Sequence, residues 1–220
     1  MCWRLMARCG PDRSTFTRLQ HIRRRFTLGR QRRSVGSAAL KLVKGDRLIA
    51  VGCSVGGSCA LELAVPAPGR VAALVLIGTK AGHRPDPALH ASALEALREK
   101  GLEEAWKVYW APLFSRSANS QGVGDARRIM LRQSPLHVAR GVTAFHSRPN
   151  RDQFLSAFPR NVIVVTGEDD SAPGLKISTA QATSARHGRL HVIPECGHCV
   201  PLERPEYLNS LLREAIALLQ

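Results

Sequence analysis

No stretch of this sequence approaches the ~18 consecutive apolar residues needed to cross a bilayer, so a soluble chain with no membrane partner is expected. A secretory signal is missing too: the apolar positions near the N-terminus are too few and too polarly flanked. Without an export signal the six scattered cysteines imply no disulfide framework, and reduced thiols in a cytoplasmic setting are the simpler reading. Also absent are a phosphate loop, a dinucleotide fingerprint and any cluster of residues at metal-ligand spacing, so neither a cofactor nor a metal is implied. His83, His90, His137 and His146 have no such spacing, which leaves them solvent-facing or packing roles.

Acidic residues are scarce, but chiefly at one end. The net charge is +15, and residues 1–45 hold ten Arg, two Lys and one Asp, or +11 of it; the remainder has 20 basic and 16 acidic residues. An even spread would suggest an anionic partner; here the charge sits in a segment containing Arg23-Arg24-Arg25 and Arg32-Arg33, with no convincing strand pattern. Three readings fit it. An Arg-rich, Ser/Thr-containing, acid-poor end looks like an organelle transit peptide. A nucleic-acid tail is the second, although the interleaved aromatics of a stacking platform are missing. The third is a disordered or non-native start. Residues 46–220 form the second unit, and a chain of 220 residues, 44% of them hydrophobic, can bury a sizeable core.

What is present is organised around Arg47 to Ala64. Leu48 to Val51 is too short and too apolar for a surface helix and suits a strand buried on both faces, as in a parallel sheet. Gly52-Cys53-Ser54-Val55-Gly56 then fits G-x-S-x-G, in which glycines two residues either side of the serine let strand and helix backbones approach closely. Ser54 would stand at an exposed apex, with the amides of the following helix aimed at the same place. A glycine-rich turn with an incidental serine is the plainer alternative.

In these residues the chain resembles the α/β-hydrolase family, and later motifs extend the resemblance. Val71 to Thr79 looks like the family's next buried strand. Asn161 to Asp170 looks like the strand whose end carries the acid, which the family's usual spacing after the glycine puts at Asp170, with Glu168 and Asp169 as fallbacks. Arg189 to His198 is similar to the last strand and its Gly-His turn, with Pro201 to Glu206 leading to a closing helix. The order Ser54, Asp170, His198 is the family's order. These motifs cover about residues 46 to 220 and leave the first 45 outside. The implied fold is α/β: a partial α/β-hydrolase-like parallel sheet carrying a helical cap insertion over about residues 80–160.

Within that insertion Pro87 to Lys100, Leu102 to Tyr109, Asp125 to Gln133 and Gln153 to Phe158 read as helices, separated by Gly101, Pro112, a 115–124 loop and Pro149. Trp106, Tyr109, Trp110 and Phe114 fall at helical spacing on or near one face. Packing of cap against body explains them; if they also line a pocket, the substrate has an apolar portion. Cys196-Gly197-His198-Cys199 matches the tetrapeptide of disulfide isomerase-like thioredoxin domains. Pro201 follows almost at once, however, and too little chain remains for that fold. A zinc reading with His191 fails for want of a second ligand pair.

The expected function is a serine hydrolase acting on an ester, lactone or related bond of a small substrate, the cap arrangement resembling the enol-lactonase and C–C bond hydrolase branches. The resemblance implies Ser54 as nucleophile, His198 as base, Asp170 orienting it, and Val55 N–H as an oxyanion donor. Family members usually carry several strands ahead of the G-x-S-x-G turn, the nucleophile elbow, and a His-Gly loop that gives a second oxyanion amide. No His-Gly precedes Ser54, and residues 1–45 offer no replacement strand. The elbow strand is therefore expected to form an exposed apolar edge that promotes self-association. An inactive relic or binding protein, and a basic nucleic-acid-associated protein, are the alternatives to an enzyme.

Overall fold

In the computed structural model the described residues are 6–7, 40–41 and 46–217. One sheet contains β1 (Met6–Ala7), β2 (Leu48–Cys53), β3 (Val71–Ile77), β4 (Asn161–Gly167) and β5 (Gly188–Ile193), side by side in that order. The α-helices are α1 (Val55–Ala64), α2 (Pro87–Glu95), α3 (Gly101–Ala105), α4 (Ser120–Leu131), α5 (Pro135–His146), α6 (Asp152–Ala157), α7 (Gly174–Ser184), α8 (Val200–Glu203) and α9 (Pro205–Ala217), with π-helical segments Ala96–Lys100 and Trp106–Trp110 following α2 and α3 and a 3-10 turn at Ala111–Leu113. Strands β2 to β5 run parallel.

Both faces of β2, β3 and β4 are covered, which is why these strands read as continuous apolar runs rather than alternating ones, whereas the edge strand β5 has exposed positions at Arg189 and Val192. The alternation reappears in which helix each side chain meets. Leu48, Ala50, Leu74, Leu76, Val162 and Val164 pack with Ala60, Leu61 and Ala64 of α1 and Ala182 of α7. Their neighbours Ile49, Ala73, Val75, Ile77, Ile163 and Val165 pack with Leu208, Leu211, Leu212 and Ala215 of α9. Each Val, Leu or Ile side chain among these contributes about 1.5–3 kcal/mol by leaving water, and each Ala less. This double layer holds the C-terminal ends of the strands, where the motif residues lie, in fixed relative positions.

One expectation is corrected at the sheet edge. Residues 1–45 do supply a strand: β1 pairs antiparallel with β2, Met6 opposite Ile49 and Ala7 opposite Leu48. Two extended residues suffice to satisfy part of an edge, and no side-chain pattern that short announces them. Residues 50–53 have no strand beside them on that side among the described residues. Most of the basic segment, on which the transit-peptide and nucleic-acid readings rest, lies outside the described residues. No described helix is long and apolar enough to cross a membrane.

Between β3 and β4 the chain builds a helical insertion with its own core of Ala93, Ala96, Leu97, Ala105, Trp106, Met130 and Val142. It departs from the sequence reading in two places. α4 begins at Ser120, inside the expected 115–124 loop, because Asn119 Oδ1 accepts Gln121 N–H at 2.8 Å and caps the first turn. α5 has no counterpart among the expected helices. Gly141 and the β-branched Val138, Val142 and Thr143 weaken its local signal, while burial of Val142 in the insertion core stabilises it. The overlooked cue was Ser134-Pro135, an N-cap residue followed by Pro at the first helical position.

Candidate active site

β2 ends in a turn whose tip, Ser54, has φ 56° and ψ −125°, a region that L-residues other than glycine rarely occupy. The surroundings hold it there. Ser54 N–H donates to Ile77 O at 2.8 Å, and Ser54 O accepts from Gly57 N–H at 2.9 Å and from the Thr79 hydroxyl at 2.7 Å. A Cβ on Gly52 would overlap the Gly56 carbonyl, and one on Gly57 would overlap the Thr79 side chain. The strand and α1 can therefore cross only with glycine at those positions. Ser54 and Val55 are both half-buried. Val55 opens α1, so its N–H belongs to the helix turn without an intrahelical acceptor.

The end of β4 selects among the acidic candidates. Glu168 and Asp169 are exposed, whereas Asp170 is 5% exposed and turned inward. Its Oδ1 accepts Ala172 N–H at 2.8 Å and lies 3.1 Å from His198 Nδ1, with Oδ2 at 3.2 Å. An ionised carboxylate can only accept, so the ring proton sits on Nδ1 and the lone pair of Nε2 remains free. Gly78, at φ 52°, passes against this pair: a Cβ there would sit 2.9 Å from His198 Nδ1 and 3.2 Å from Asp170 Oδ2. The Cys53 thiol donates a long bond, 3.8 Å, to His198 O, which puts the elbow against the histidine loop. No hydrogen bond joins Ser54 Oγ to the ring among the described residues, the open geometry common before substrate tightens a site.

The histidine loop is held from the other side by the insertion. His198 N–H donates to Leu113 O at 2.8 Å, and a Cβ on Gly197 would lie 2.5 Å from both Leu113 O and Ser115 N. Gly167 is equally close beneath, where a Cβ would overlap the carbonyls of Cys196 and Gly197. Of the four aromatics, Trp106 is buried in the insertion core, and Tyr109, Trp110 and Phe114 pack partly buried around it. Trp106 and Phe114 rings meet at 5.9 Å, and the Tyr109 hydroxyl pairs with Ser92 at 2.7 Å. Of these four, Phe114 has its backbone against the histidine loop, its carbonyl carbon being 2.8 Å from a Cβ built on Gly197. A surface groove of about 550 Å³ lined by Gln121, Asp125, Arg127, Arg128 and Arg132 includes none of the motif residues.

Cys196 and Cys199 are free thiols. Burial, reinforced by the nearby Glu203 charge, pushes each up to about 12, the opposite of an activated redox thiolate. Iodoacetamide at about pH 8 is expected to leave both unmodified in the folded chain and to alkylate both in urea. Native-state alkylation of either at a free-thiol rate would contradict this. No group that could hold a metal occurs among the described residues.

Sequence reading passed over three contributors to this site. Gly78 and Thr79 were legible only as the end of a strand; what marks them is contact with the His198–Asp170 pair and with Ser54 O. Glu203, five positions past His198, is buried and accepts backbone N–H bonds from the histidine loop. No spacing rule indicates that its carboxylate folds back.

Comparisons with known proteins bear on the family and the fold. A 2-hydroxy-6-oxononadienedioate/2-hydroxy-6-oxononatrienedioate hydrolase of Comamonas testosteroni is 24% identical over 183 residues, covering 76% of this chain and 62% of that protein. The chain thus spans about three-fifths of the length of the curated relatives it matches. Among solved structures, a thermophilic esterase from Thermogutta terrifontis superposes with TM-score 0.72 at 25% identity, covering 82% of this chain and 67% of that one. The enol-lactonase from Burkholderia xenovorans LB400 gives TM-score 0.73 at 15% identity, covering 84% and 73%, and shows the likeness of fold. The model of the alpha/beta hydrolase family matches residues 3–211, taking in most of the N-terminal stretch that the motifs alone do not reach. With a family match across nearly its whole length and a parallel sheet that carries a serine at the turn after its elbow strand, this chain belongs to the alpha/beta hydrolase family.

Proposed function

We propose that the protein is a serine hydrolase acting on an ester, lactone or related bond of a small substrate. The observation that carries the reading is the buried Asp170 carboxylate on His198 Nδ1, beside a serine held at positive φ. His198 Nε2 takes the Ser54 proton as Oγ bonds to the carbonyl carbon, and the displaced electron pair collects on the carbonyl oxygen at Val55 N–H. Collapse expels the leaving oxygen, which takes the proton from the imidazolium. Water then repeats the sequence and releases the acid. Asp170 keeps the imidazole in the required tautomer and stabilises its charged form. The insertion serves as a cap, with the Trp106, Tyr109, Trp110 and Phe114 group giving the pocket an apolar wall. The wider phrase "related bond" reflects relatives named as hydrolases of 2-hydroxy-6-oxo dienoates.

A second reading, an impaired hydrolase or binding protein, draws on the lack of a His-Gly pair within residues 1–53. Losing one oxyanion donor costs on the order of 3 kcal/mol in the transition state, or about a hundredfold in rate. Hydrolysis of p-nitrophenyl butyrate, measured with the association state of the chain, separates the two. Turnover by a monodisperse monomer supports the enzyme. Dye-binding aggregates that release no nitrophenol above the buffer rate support the relic.

A further inference from the structure

We infer that Glu203 is a positioning residue for His198, tying the helical insertion to the imidazole through one buried carboxylate. Oε2 accepts Ser115 N–H from the insertion at 2.9 Å and Gly197 N–H at 2.9 Å, and Oε1 accepts Cys199 N–H at 3.0 Å. Gly197 and Cys199 flank His198, so the carboxylate grips its backbone on both sides. Glu203 is 6% exposed, and among the described residues the donors to its carboxylate are these backbone amides. The adjacent Arg204 does not compensate it, since that guanidinium donates to the carbonyls of Glu203 and Glu195. A buried carboxylate is costly unless its lone pairs are filled; here that cost is offset by holding three amides of two separate chain segments at one point.

Two further contacts make this a device for the histidine rather than for the loop in general. His198 N–H donates to Leu113 O, two residues before Ser115. The segment that Glu203 holds thus also holds the histidine backbone directly, and a shift of the insertion at residues 113–115 moves Gly197, His198 and Cys199 as a unit. The ring's other end is set by Asp170 through Nδ1. With backbone and Nδ1 both fixed, the direction of the Nε2 lone pair is determined, and a misplacement of about 1 Å at that atom can cost about a hundredfold in rate.

Glu203→Gln discriminates sharply because only one of its terminal atoms accepts. With its carbonyl oxygen in the Oε2 position it keeps Ser115 and Gly197, while its NH2 faces Cys199 N–H, donor against donor. This inference rests on the reading of His198 as the base, so His198→Ala is measured in parallel, using fluorophosphonate labelling rates and p-nitrophenyl butyrate kinetics on full-length, folded protein. Glu203→Gln is expected to lower kcat and the labelling rate about tenfold, with KM within about threefold. Glu203→Ala is expected to lower them about a hundredfold, with the folded fraction monitored by circular dichroism. Unchanged kcat in folded Glu203→Gln, with His198→Ala silent, overturns the inference and leaves the base assignment intact. Wild-type labelling by His198→Ala overturns both.

Discussion

Ser54→Ala is expected to abolish covalent labelling by a fluorophosphonate probe, and His198→Ala to slow it on the order of a thousandfold or more. A serine hydroxyl is a weak nucleophile at neutral pH and needs a base in hydrogen-bond reach. The backbone carbonyl of His198 meets the Cys53 thiol next to Ser54, which brings this histidine to the elbow turn. Its Nδ1 is taken up by a carboxylate that is itself buried, so Nε2 is the nitrogen left to accept the Ser54 proton. The probe's phosphorus is attacked without a leaving-group amine or alcohol to protonate, so labelling reads activation of the nucleophile alone. Labelling that survives Ser54→Ala would remove Ser54 from the mechanism, and labelling unaffected by His198→Ala would remove the base. The Cys196→Ser, Cys199→Ser double variant is the matched control: both thiols are held protonated by burial, and labelling within about tenfold of wild type is expected.

The largest expected effect on stability comes from Gly52→Ala. A methyl group there would overlap the carbonyl of Gly56 and the amide of Gly57. These are backbone atoms of α1, so no side chain can rotate aside and the strand and helix must separate. Separation also breaks the bonds from Ser54 N–H to Ile77 O and from Thr79 to Ser54 O. Overpacking of this kind costs about 1–3 kcal/mol when neighbours can yield and more when they cannot. Against the modest total stability of a domain, a cost above about 4 kcal/mol means loss of a cooperative transition at ordinary temperatures. Gly69→Ala is the control, since a Cβ there meets nothing within 4 Å; it is expected to change stability by under about 0.5 kcal/mol. Equal midpoints for the two variants would show that the elbow has room the geometry denies it.

The strands were legible because burial on both faces leaves runs such as Val71 to Ile77 with no polar position, and a short run bounded by turns admits few other readings. The elbow was legible for a related reason: close approach of two backbones demands glycine, and Gly52, the first glycine of the motif, is pinned by backbone contacts that any larger residue would violate, while Gly57, outside the motif, is pinned by the Thr79 side chain. Asp170 was readable from the spacing after the glycine that the family resemblance implies, with Glu168 and Asp169 as fallbacks; the turn after Gly167 buries Asp170 and exposes the other two. α5 escaped notice because its helical state is decided by burial against the insertion core rather than by local propensity. The β1 pairing escaped because two residues carry no period.

By itself the sequence determined the family, the order of the strands along residues 46–220 with part of the helices between them, and the candidate residues for the chemistry. Each of these is written in local constraints: a run with no polar position, a glycine where backbones cross, a turn residue at a strand end. Tertiary structure alone decided that the Asp170 carboxylate meets His198 Nδ1, that Gly78 leaves room for the pair, and that Glu203 binds Ser115 together with Gly197 and Cys199. These are contacts between segments up to 120 residues apart in the chain, between His198 and Gly78. Their partners are chosen by how the sheet and insertion pack, and hydrogen bonds to backbone amides leave no mark on the identity of the residues that donate them.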